Sequence, residues 1–232
     1  MSELKVFPIG YIASTNNVSK GSWVSGGTEE NPMFEPNSGC NKVKVGYSGQ
    51  SPVENRAIWT RKLGEPRHNI EYKYKNIWNS EFKQIRRFIR DISSFKVNSF
   101  YVVDYSSGQK ISALATGAEW NASIYDTTDF SATSGEGGNY CMIWHPPTSQ
   151  FRIGVVNTHN EDSSIGFPNT SDFGDLQKFV SGQTYAYPMY RCFMKDDKEN
   201  FKVRAHVDAN LNASFAGPVR SGGIKFVQRD VK

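Results

Sequence analysis

Residues 69–105 fix more of this chain than any other stretch, because they spell out a strand, a helix and a second strand in succession. Ile70, Tyr72, Tyr74 and Trp78 fall on one parity, and Glu71, Lys73 and Lys75 fall on the other. Alternation of this kind with aromatic residues is the pattern of a half-buried strand. Asn79-Ser80-Glu81 follows, a helix start: short polar side chains can bond free N–H groups, and an acid sits in the first turn. Phe82, Ile85, Phe88, Ile89 and Ile92 then recur at helical spacing. At about 100° per residue they share one face. Ser93-Ser94 ends that pattern. Residues 99–105 (SFYVVDY) read as the second strand, closed by the turn Ser106-Ser107-Gly108.

The opposite face of the same helix is basic. Lys83, Arg86, Arg87 and Arg90 fall within an arc of about 100° facing away from Phe88 and Ile92. Glu81 and Asp91 lie outside this arc. A solvated helix face commonly carries Lys and Arg. Four bases with no acid among them form a purer stripe than solvation needs, so a contact with an acidic neighbour is the functional reading.

The rest of the chain is dominated by strand signals. Residues 1–41 read as an N-terminal arm and a long loop, with Phe7, Ile9 and Tyr11 alternating near the start and Pro8 arguing against a central strand. Val43, Val45 and Tyr47 alternate as a strand. Residues 42–115, with a helix over 80–93, form the first half of the fold. Residues 116–184 are an inserted β lobe or a set of long loops, with strands at 120–125, 139–144 and 151–156 and a loop-like stretch over 157–184. Residues 185–232 hold the closing strands: 185–194, 201–207 and 223–231, with a turn at Ala216-Gly217-Pro218. Along 201–207, Phe201, Val203 and Ala205 share one parity while Lys202, Arg204 and His206 share the other. The sum is a mainly β fold, a sandwich or barrel of about ten short strands with one flanking α-helix. The strands at 201–207 and 224–231 are expected in the core, with Phe226 buried.

Composition agrees with that class. Of the 232 residues 38% are hydrophobic and 13% aromatic, enough for a packed core and too much for general disorder. The net charge of +4, from 27 bases against 23 acids, is too mild to imply nucleic acid by itself. Cys40, Cys141 and Cys192 are far apart and odd in number, which predicts reduced thiols. With no apolar leader at the start, cytosolic synthesis is expected, and no run reaches the ~18 apolar residues of a membrane span.

Chemical motifs are sparse. His68, His145, His159 and His206 have no metal-ligand spacing, so no metal and no cofactor are implied. Gly135-Glu136-Gly137-Gly138 lacks the Gly-Lys-Ser/Thr ending of a phosphate loop, and no GxSxG elbow occurs. The chain is therefore not expected to be an enzyme, although a glycosidase needs only two carboxylates placed in space. Trp120, Tyr125, Tyr140, Trp144, Phe151 and Phe167 could stack on sugars, but aromatic residues in alternating strands are more often core.

Two stretches carry a resemblance. Residues 69–90 (NIEYKYKNIWNSEFKQIRRFIR) with the following SFYVVD, and the ending YPMYRCFM, FKVR and GIKFVQ, resemble tail proteins of tailed bacteriophages. The nearest pattern is that of distal tail and minor tail proteins. The resemblance covers residues 55–105 and 185–232. It implies a β-sandwich with one flanking helix, a homo-oligomeric hexameric ring continuing the tail tube, and no catalytic residues. It also implies a place in the virion next to the tail tube, tape measure and tail hub, with no specific nucleic-acid binding and no membrane insertion. The alternatives are a carbohydrate-binding β-sandwich for host-surface recognition and a tail connector or terminator nearer the head.

Overall fold

The computed structural model describes residues 3–7, 10–13, 17–19, 36–45, 48–52, 58–62, 67–93, 99–117, 119–148, 150–161, 163–168, 179–195, 200–208, 210 and 216–228. Among them the chain runs β1 (Glu3–Val6), β2 (Gly10–Ala13), β3 (Asn17–Ser19), β4 (Cys40–Val45), β5 (Ser48–Pro52), β6 (Ile58–Lys62) and β7 (Arg67–Ile77). The helix α1 (Asn79–Ser93) follows, then β8 (Phe100–Val103), β9 (Gln109–Lys110), β10 (Ala113–Thr116), β11 (Glu119–Ser123) and β12 (Tyr140–His145). The chain ends through β13 (Gln150–Val155), β14 (Thr158–Asn160), β15 (Ser164–Pro168), β16 (Tyr185–Met194), β17 (Asn200–Val207) and β18 (Gly217–Gln228). The fold is mainly β with one α-helix among the described residues, sandwich-like and built on antiparallel pairing.

β16 organises it. One edge of β16 takes β9 and then β8, and the other takes β12 and then β18. Pro188 lies in the middle of this strand, where it cannot donate to a ladder. The gap between β8 and β9 falls at that point, and the carbonyl of Pro188 accepts the N–H of Asp104 at 2.9 Å. Beyond β16, β18 forms a ribbon with β7 on one side and β17 on the other, and β4 closes the far edge of β7. A separate sheet, β10-β11-β15-β14, is assembled from residues 113–168. β12 and β13, from the same part of the chain, belong to the large sheet instead.

α1 seals the space between the β7–β18 ribbon and β8–β16. Asn76 turns the chain out of β7 at φ +55°, a left-handed conformation that Asn tolerates better than most residues. Glu81 Oε2 then accepts the N–H of Trp78 at 2.7 Å, the reach-back half of a capping box. Phe82, Ile85, Phe88 and Ile89 are buried as the spacing predicts. Ile92 lies outside the described side chains. The core here is aromatic: Phe7, Tyr72, Phe88, Phe100 and Phe226 meet largely edge-to-face, with centroids 5.0 to 6.4 Å apart. Phe226 is fully buried, as expected.

Several expectations are corrected. Eighteen strands, not about ten, occur among the described residues. The stretch 157–184 contains β14 and β15, because Ile165 and Phe167 alternate inward against Ala122 and Trp120 of β11. Gly217 and Pro218 belong to β18 rather than to a turn. β17 is not a core strand: it is largely exposed, with Val203 50% accessible, because its only partner among the described residues is β18. In β4 Val43 faces outward, 48% exposed, and Lys42 points in.

Candidate functional site

The four stripe residues, Lys83, Arg86, Arg87 and Arg90, are all exposed and line one open groove of about 660 Å³. β18 brings a fifth cation to it. Arg220 lies with its guanidinium carbon 4.1 Å from the centroid of the Phe82 ring, and its Nη1 donates to Asn79 Oδ1 at 3.0 Å. Arg86 approaches the same ring at 5.7 Å. Stacking of this kind fixes a guanidinium without neutralising it. Phe82 and Ile89, themselves buried, complete the lining, so the groove presents five positive charges, and among the described residues no acid lines it.

A second basic groove, of about 700 Å³, lies on the outer face of the ribbon. Lys73 and Lys75 come from β7, Lys202 and Arg204 from β17, and Lys225 from β18. Among the described residues Glu71 is the one acid in its lining, 3.7 Å from Lys73 and 3.8 Å from Lys225. Sequence reading had the outward parities of β7 and β17 but not their meeting. Only the pairing of both strands with β18 brings them together, across more than a hundred residues of chain.

Lys42 belongs to a different kind of site. Its ammonium is 2.9 Å from Asp104 Oδ2, contacts Asp129 Oδ1, and donates to Ser107 Oγ at 2.8 Å and Tyr190 Oη at 3.2 Å. Asp104 is fully buried and also accepts the N–H of Ser106 at 3.0 Å. Burial pushes the carboxyl of Asp129 up, but hydrogen bonds from Lys42, Ser107 and Tyr190 outweigh this and hold it below the usual range. Burial, with Asp129 and Asp104 nearby, pushes the Tyr190 hydroxyl well up. Burial likewise lifts the Cys40 thiol to about 12, and its Sγ lies 3.8 Å from Asp104 Oδ1. A serine beside a lysine can be a nucleophile and its base. Here Lys42 donates to two carboxylates, so it holds no lone pair toward Ser107, and the cluster is built as a cross-link.

Other candidates disperse. Cys141 and Cys192 are buried thiols, both pushed up by burial. His145 stacks on Phe179, with ring centroids 5.2 Å apart, and burial holds its imidazole below the ordinary value. Among the described residues no three His, Cys, Asp or Glu side chains come together as metal ligands. Trp120, Trp144, Phe151 and Phe167 are core, Tyr140 is half-buried, and Tyr125 is 92% exposed with no aromatic neighbour in contact among the described rings. No helix among the described residues is long and apolar enough to cross a membrane. No protein-family model matches the chain, and no curated protein matches it either.

Proposed function

We propose that the chain is a structural subunit of a bacteriophage tail, forming a ring at the distal end that joins the tail tube to the tip. The observation that carries this reading is the helix groove. It gathers five cations, Lys83, Arg86, Arg87, Arg90 and Arg220, on one open face. A cationic face whose Arg220 is held by stacking on Phe82 and by Asn79 is suited to complementing an acidic protein surface. A neighbouring subunit with an acidic surface would complement that face and fix register. The mainly β architecture with one amphipathic helix supports the same reading, since it is the architecture that the resemblance of residues 55–105 and 185–232 implies. On this proposal the ring is a hexamer, and the neighbours are the tail tube, the tape measure and the tail hub. The virion is then its location, and the chain works as a scaffold rather than as an enzyme.

The test is the double reversal Arg86→Glu with Arg90→Glu. The variant should melt as the parent does and fail to enter particles, and high salt should partly mimic that failure because rim charges are screened. Normal incorporation, or a position outside any cyclic ring in a cryo-electron map, overturns the proposal.

A further inference from the structure

The outer groove of the ribbon has a different make-up, and it points to a different ligand. We infer that it binds the phosphodiester backbone of a single-stranded nucleic acid without regard to base sequence.

Its floor is Ser221-Gly222-Gly223 of β18, where side chains are small or missing. Gly222 is required there: a Cβ would lie 1.9 Å from the carbonyl oxygen of Asn200. Its walls are the two strands flanking β18, which neighbouring-strand spacing puts about 10 Å apart. That width admits one polynucleotide backbone and is too narrow for a duplex to enter.

Along each wall the cations stand two residues apart, Lys73 and Lys75 on one side and Lys202 and Arg204 on the other. Both walls are irregular here: the register shifts between Val203 and Ala205 of β17, and where β7 meets Arg220 to Gly222 of β18. Hydroxyl and amide groups of Ser38, Ser221, Asn76 and Asn200 lie among them, the side-chain types that donate to phosphate oxygens.

The walls are held in place before any ligand arrives. The backbone of Lys75 exchanges two hydrogen bonds of 2.7 Å with the side chain of Asn37, and Ser221 Oγ accepts the N–H of Asn76 at 3.0 Å. Lys73 and Lys225 remain about half exposed, at 55% and 51%.

The missing component decides between ligand classes. Tyr74 is buried, so no large apolar side chain is presented in this groove. An acidic protein partner would find no apolar anchor, and such anchors supply most of the energy at protein interfaces. Phosphate binding needs none, since it is driven by charge and counterion release.

Fluorescence anisotropy of a labelled single-stranded oligonucleotide with the full chain tests this. Binding is expected at 50 mM salt, with a log–log salt slope of about −3.5, from ~0.7 per neutralised phosphate of single strands for five cations. Lys202→Glu with Arg204→Glu should weaken binding at least tenfold, as should Lys75→Glu with Lys202→Glu, each with unchanged melting. Arg86→Glu with Arg90→Glu should leave it within twofold, which separates this groove from the helix groove. Three results overturn the inference: no binding at low salt, binding indifferent to the ribbon variants, or tighter binding of a duplex or a poly-glutamate peptide than of the single strand. None of them depends on whether the chain enters a tail.

Discussion

Lys42 and the groove cations are the same chemistry in opposite surroundings. Lys42 is 12% exposed and faces two carboxylates of its own chain. Lys83, Arg86, Arg87 and Arg90 are exposed, and among the described residues no acid lines their groove. A buried ion pair gains Coulomb energy but loses hydration, so its net worth is small while loss of one partner is severe. Exposed charges do the reverse, costing little to remove and remaining available to another molecule. The contrast separates positive charge that holds this fold together from positive charge that the fold presents.

The sharpest way to break that contrast is Lys42→Met. It leaves the buried Asp104 carboxylate without its counter-charge and should cost about 3–5 kcal/mol. A urea titration measures it, and a loss under about 1 kcal/mol would place Lys42 with the surface charges. Phe88→Ala, under the helix, should cost about 3 kcal/mol as an apolar reference for the same core. Arg86→Glu with Arg90→Glu should stay within about 0.5 kcal/mol in the same titration. A larger cost would show that the stripe serves the monomer.

Acid titration sharpens the comparison further. The folded-state value of Asp129 is depressed, so its contribution is fully present above the ordinary carboxylate value of about 3.9. It is lost as pH falls through the folded value. Glu81 runs the other way. Burial raises its carboxyl, with the Trp78 N–H partly offsetting, so folding favours its neutral form. That contribution is present below the ordinary value and lost as pH rises through the raised one. Lys42→Met should therefore flatten the acid limb of the stability curve. Glu81→Gln should raise the melting temperature slightly at pH 7 and remove the opposing trend. An acid limb unchanged in Lys42→Met would show that Asp129 is not held down by Lys42.

These regimes were unequally legible in the sequence. The helix declared both faces, because Phe82, Ile85, Phe88 and Ile89 and the four bases obey one period that needs no partner to be read. The ribbon groove was written as two outward parities whose meeting depends on β18 register. Lys42 gave no warning: it stands beside Val43 in an alternating strand, and alternation led to the strand while the burial came out inverted. What turned the strand over is a pair of carboxylates, Asp104 and Asp129, that no local pattern links to it. β17 failed for the complementary reason, since its apolar parity is genuine but the only partner to cover it among the described residues lies on one edge.

The Lys42 cross-link also carries a clock. Its partners Ser107, Asp129 and Tyr190 stand 65, 87 and 148 residues further along the chain. During synthesis the lysine is made long before the last of them leaves the ribosome. Contacts closing loops of that length are entropically the dearest and tend to form late. The helix is no more local, since α1 packs on β18 and Arg220 reaches Asn79 across 141 residues, so the hairpins β10–β11 and β12–β13 are the natural early nucleus. If so, Lys42→Met should leave the refolding rate nearly unchanged and speed unfolding, the signature of an interaction absent from the transition state. The cluster would act as a latch, setting how long the finished subunit stays folded rather than how fast it is made.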